Sequence, residues 1–153
     1  MALTSIWLTV LGATSGLGAL LDAFTRKLPN WLCLVMLLAG LAFGFVLDGW
    51  TGLGLHALHA ALALGVGFLL FSWGVFGGGD GKFYAACASF FPANLVLVLF
   101  VSITSAGFLL ALVWFAAKRG IKVRQRTEDE FAKLPYGMAI AIGSVGLALY
   151  SLQ

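Results

Sequence analysis

Two aspartates carry the chemistry that this sequence offers. Asp80 lies in Gly77-Gly78-Gly79-Asp80-Gly81-Lys82, at the seam between apolar stretches 53–76 and 83–117, and Asp22 closes the first apolar stretch. A carboxylate near the middle of a membrane helix costs about 2.5–3.5 kcal/mol on insertion scales, so it marks a functional position by default. The glycines around Asp80 carry no Cβ, which admits a second backbone and allows φ > 0. Two carboxylates that meet cannot both ionise cheaply. They share a proton and titrate in two separated steps. In such a pair one member takes a proton from water while the other protonates or polarises a carbonyl, and water attacks without a covalent intermediate. Taken singly, an Asp at a helix end is more often an interfacial residue; it is the pairing that argues for catalysis.

The other four acids do not compete for this role. Asp48 falls in a turn, and Glu128, Asp129 and Glu130 sit together in a polar loop. His56 and His59 are spaced for one helix face, but no third ligand accompanies them, so no metal site is expected. Cys33 and Cys87 lie within apolar runs and read as small buried side chains, and no CxxC pair exists. No cofactor is implied.

The elements that must position the aspartates follow from composition. The chain has 153 residues, 61% hydrophobic and 10% charged, with mean hydropathy +1.03. Soluble domains carry about 25% charged residues, and apolar runs of about eighteen residues mark membrane helices. An all-α, polytopic membrane protein is therefore predicted, with its length filling one domain over residues 1–153. The net charge of +3 comes from residues flanking apolar segments, which signals topology and not nucleic acid. Residues 1–21 lack a basic start, so they read as a retained helix, not a cleaved signal. The Trp residues, mostly near segment ends, read as interfacial belt residues.

Six transmembrane segments are predicted: 3–24, 30–47, 55–76, 82–91, 92–117 and 135–152. Pro29 stops the first, residues 48–54 form a turn, and Pro92 opens the fifth. With six segments every Lys and Arg falls on one side, which the positive-inside rule makes cytoplasmic, with both termini outside. Only about 35 residues separate Lys82 from Lys118, roughly 52 Å of helix, whereas two full crossings need about 40 residues. The segment after Asp80 must therefore be short or broken, or begin below the membrane surface, where irregular backbone needs protein or water around it. The hairpin of segments two and three returns the chain to the face it left, so Asp22 and Asp80 can meet at one depth.

These residues resemble a known family. Gly77-x-Gly79-Asp80 matches the G-x-G-D motif of intramembrane-type aspartyl proteases. Asp22 followed by Arg26-Lys27-Leu28-Pro29-Asn30 is similar to the first-helix pattern of type IV prepilin peptidases, with Leu-Pro-Asn in place of Ile-Pro-Asn. Lys82, the Ala85-Ala86 pair and the Leu134-Pro135-Tyr136-Gly137 signature extend the likeness over nearly the whole chain. The resemblance implies a single membrane peptidase domain, a leader peptidase acting on type IV-like prepilins at the cytoplasmic face of the bacterial inner membrane. It makes Asp22 and Asp80 the catalytic pair and Gly77, Gly79, Lys82, Pro135, Tyr136 and Gly137 the residues that shape the site. The partners implied are a prepilin, with its leader and hydrophobic helix, and the lipid bilayer. Without the larger members' N-terminal cysteine-bearing domain, the chain resembles the short Tad/Flp-pilus type, and N-methylation is not implied.

Several readings stay open. Lys82 is an interfacial anchor or a group that steers substrate or tunes the pair. Arg26, four residues after Asp22, is an ion-pair partner or a basic anchor. Tyr136 lines the site or sits in the aromatic belt. An alternative from another class is a small transporter or channel component in which Asp80 binds a proton or ion at a helix break.

Overall fold

The computed structural model describes residues 2–120 and 136–151. Five α-helices occur among them: α1 (Ala2–Thr25), α2 (Asn30–Ser72), α3 (Gly78–Ala88), α4 (Val96–Gly120) and α5 (Tyr136–Tyr150). No strand occurs among the described residues, as the all-α prediction requires. The helices of α1, α2 and α4 are long and apolar enough to cross a membrane, and α5 is a shorter apolar helix. Large hydrophobic side chains such as Phe24, Phe68, Phe108 and Val113 are more than 60% exposed. In water such a surface would drive association; lipid is the solvent that it suits.

Among the described residues five α-helices stand where six segments were predicted, because the second and third predicted segments are joined in α2. The turn expected over 48–54 is only Asp48 and Gly49, the two residues within α2 that leave helical dihedrals. Gly49 takes φ 56°, a left-handed value open to glycine. The reversal is nevertheless complete. Eight residues of straight helix span about 12 Å, yet a Cβ on Gly52 would strike the carbonyl oxygen of Gly44. A Cβ on Gly44 would lie 2.6 Å from the His56 ring. The two limbs of α2 thus run back along each other, and small residues let them close tightly.

The predicted short segment after Asp80 is α3, with 11 residues. It packs chiefly on α2 and also meets α5 and α1. Phe83, Tyr84, Cys87, Phe90 and Phe91 are almost wholly buried, which makes this stretch the centre of the core. A short 3-10 turn, Ala93–Leu95, follows Pro92 and leads into α4. The helices α4 and α5 lie antiparallel: a Cβ on Gly143 would sit 2.6 Å from Ile103 Cα, and one on Gly107 would sit 3.5 Å from Ala139 Cβ. Cys33 and Cys87 are free and buried.

Candidate active site

The first carboxylate is set by the way α1 ends. Asp22 lies in the last turn of the helix, and Arg26 terminates it with φ 54°. A side chain in the left-handed region is disfavoured by roughly 1–2 kcal/mol, and glycine is the usual occupant of such a helix end. The Arg26 N–H still donates to the Asp22 carbonyl at 3.1 Å. Pro29 then takes extended backbone, φ −70° and ψ 135°, and α2 begins. This turn carries Leu28 over the glycine stretch, where a Cβ on Gly79 would lie 3.2 Å from the Leu28 Cβ.

The second carboxylate sits inside a helix, not in a loop before one. Gly77 is the N-cap of α3 and Asp80 the third helical residue. The Gly77 N–H donates to Asp80 Oδ2 at 2.9 Å, and the Asp80 N–H donates to the Gly77 carbonyl at 3.1 Å. This is the carboxylate half of a capping box, and a helix N-terminus favours negative charge. The position of α3 is then fixed by glycine on glycine: a Cβ on Gly67 would fall 2.7 Å from Gly81 Cα. Lys82 Nζ donates to Asn30 Oδ1 at 3.0 Å, fastening α3 to the start of α2.

The far end of the chain completes the site. Asp22 is buried, and its Oδ2 accepts the Gly137 N–H at 2.8 Å. A Cβ at position 137 would lie 2.8 Å from both the Cβ and Oδ2 of Asp22. Only glycine leaves room for that N–H to reach the carboxylate. Tyr136 packs against Phe76 with ring centroids 5.2 Å apart. Pro135 lies outside the described residues.

Asp22 and Asp80 are close enough to act on each other. Burial, foremost, pushes the Asp80 pKa up to about 6. The Gly77 N–H offsets part of this, the Asp22 carboxylate adds to it, and the Arg26 guanidinium opposes it. Asp80 therefore keeps its proton well above the ordinary carboxylate range. Of the residues singled out in the sequence, Asp22, Asp80, Gly77, Gly79, Tyr136 and Gly137 converge here. Lys82 points instead to Asn30, on the rim. Sequence reasoning missed Gly67 and Phe76 and read Leu28 only as part of the Leu-Pro-Asn triplet; among 20 glycines nothing distinguishes the one that α3 rests on.

The histidines belong elsewhere. His56 Nδ1 is 2.8 Å from the Ser89 carbonyl, and His59 Nδ1 is 2.9 Å from that of Phe91 and 3.1 Å from that of Pro92. A carbonyl only accepts, so each ring carries its proton on Nδ1 and donates. They satisfy carbonyls at the α3–α4 break. No group of three or more His, Cys, Asp or Glu suited to a metal occurs among the described residues.

Comparison with known proteins bears on this arrangement. The profile of the type IV leader peptidase family matches residues 4–115, a span that includes both aspartates. Neither the curated proteins nor the solved structures compared with the chain gave a match.

Proposed function

The chain belongs to the type IV leader peptidase family, and from that premise we propose that it is an aspartyl endopeptidase of the GxGD type. Asp22 and Asp80 are its catalytic pair, within a single membrane domain over residues 1–153. It removes the leader of a type IV-like prepilin of the Flp type. The cut is made at the cytoplasmic face of the bacterial inner membrane, with both termini outside. Family membership favours this over the transporter reading that the sequence left open.

One observation carries the proposal. Two carboxylates far apart in sequence are held by the N–H groups of Gly137 and Gly77, residues whose chain neighbours Tyr136 and Phe76 pack with ring centroids 5.2 Å apart. In the singly protonated pair Asp80 holds the proton and Asp22 is the base. Asp22 takes a proton from water as the oxygen attacks the scissile carbonyl, and Asp80 gives its proton to that carbonyl oxygen. Collapse of the tetrahedral intermediate returns a proton to the leaving nitrogen. The Gly137 and Gly77 N–H groups each hold one oxygen of a carboxylate, leaving the other oxygen for the reaction. This is positioning before the reaction begins, the main economy of such sites.

The test is co-expression with a Flp-type prepilin, scoring leader loss for the parent, Asp22→Asn and Asp80→Asn. Loss of processing in each inserted variant is the expected result. Normal processing by either would remove that residue from the mechanism. Serine- and cysteine-directed inhibitors should leave the parent active.

A further inference from the structure

A cavity of about 360 Å³ is walled by the end of α2, by α3, by α4 and by the start of α5. At one end it is lined by Phe76 and Tyr136. Two lining residues of the cavity are thus the chain neighbours of Gly77 and Gly137, the glycines whose N–H groups hold Asp80 and Asp22. Its long wall is one face of α4, from Ala111 through Thr104 to Phe100. Because α4 and α5 are antiparallel, with Gly107 level with Ala139 and Ile103 level with Gly143, Ala111 lies nearest Tyr136 and Phe100 farthest. The wall runs about 16 Å away from the pair. Thr104 donates its hydroxyl to the Phe100 carbonyl of its own helix at 2.8 Å, so it adds no free donor to the wall. Phe100, Thr104 and Phe108 are exposed, so the cavity is open at the side where lipid would lie.

We propose that this lateral cavity is the docking groove for the apolar helix of the substrate on the C-terminal side of the scissile bond. The inference rests on the peptidase reading above. A peptide held at the carboxylates would bring its next residues to the Phe76–Tyr136 end, where an apolar continuation finds an apolar wall leading away. The groove ends at the chain neighbours of the glycines that hold the carboxylates, so the occupant proposed is the substrate chain rather than an acyl chain. Its energy of binding is spent on holding the scissile bond in place.

The test compares two substrates in detergent or vesicles: a prepilin with its entire apolar helix, and a leader-junction peptide cut just past the scissile bond. Thr104→Phe and Ala111→Phe fill the groove from α4 without touching either carboxylate. The expected result is a drop of about tenfold in kcat/KM, ~1.4 kcal/mol, for the full prepilin. This drop appears mainly in KM, and the short peptide is cleaved as by the parent. In parallel, a benzophenone amino acid at position 108 should crosslink to the apolar helix of the prepilin. An equal loss with both substrates would overturn the proposal, because the variants would then act through the fold. So would no loss with either substrate together with crosslinks to lipid alone, which would make the groove a lipid site. If the parent cleaves neither substrate, the peptidase reading itself fails and takes the groove's occupant with it.

Discussion

The two ends of α3 are held in different ways. At its C-terminal end a close approach of Gly40 to the Ser89 backbone is joined by several side-chain hydrogen bonds. His56 and His59 donate to the carbonyls of Ser89, Phe91 and Pro92, and the Trp7 indole donates to Phe90 O at 3.1 Å. Trp7 also stacks on Phe43 at 5.4 Å and meets Phe91 edge-on at 5.7 Å. At its N-terminal end α3 rests on bare backbone, Gly81 against Gly67, with one exposed Lys82–Asn30 bond beside it. The contrast teaches a division of labour. Both ends use a glycine close approach, and the C-terminal end adds side-chain donors to backbone carbonyls, while the end that carries the carboxylate has the single exposed Lys82–Asn30 bond.

The sharpest break of this comparison is chemical. Asp22→Asn and Asp80→Asn should each lower leader cleavage by about 10³-fold or more, since a general acid or base contributes about 10²–10⁴, while helical content by circular dichroism stays unchanged. Next comes the glycine contact. Gly67→Leu should force α3 off α2 and cut cleavage by about tenfold or more, since a 1 Å misplacement can cost 10²-fold. Gly65→Leu, with open space at its Cβ, should behave as the parent; equal activity in the two variants would show that the contact positions nothing.

The opposite end should answer in stability and not in rate. His59→Phe leaves the Phe91 and Pro92 carbonyls without a donor, at a cost of about 1–3 kcal/mol. Thermal or denaturant unfolding should register this, with turnover per folded molecule within about twofold because His56 and Trp7 remain. The smallest effects are electrostatic. Asp80 keeps its proton up to about pH 6, so kcat/KM should fall about tenfold per unit as pH rises beyond that value. The same shift gives a stability term, present in full below the ordinary carboxylate pKa and lost as pH rises through about 6. Arg26→Gln removes a cation that opposes the shift, so the alkaline limb should move to higher pH by a fraction of a unit. A limb that stayed in place would show that Arg26 does not act on Asp80.

The aspartates were legible because acids are rare in apolar segments, and Pro29 and Pro92 marked helix boundaries because proline removes a donor and restricts its neighbour. The start of α3 was not legible. Gly78, Gly79 and Gly81 are weak helix formers, so the stretch read as a joint, yet it is helical because Gly67 meets Gly81 and Asp80 caps the helix. Asp48–Gly49 was marked as a turn, but its tightness depends on Gly44 and Gly52 meeting across it. The role of His56 and His59 left no trace, since their partners are backbone carbonyls that no residue type announces.

The fastening of α3 at one end has a mechanical consequence. Asp80 stands nine residues before Ser89, so the helix is a lever about 13 Å long with its pivot at the histidines. A tilt of roughly 5° about that pivot would sweep the acidic tip through about 1 Å, with no rotamer to unlock where one glycine slides over another. Moving the Asp80 carboxylate toward or away from Asp22 therefore requires only a small angular excursion, supplied by whatever presses on the tip.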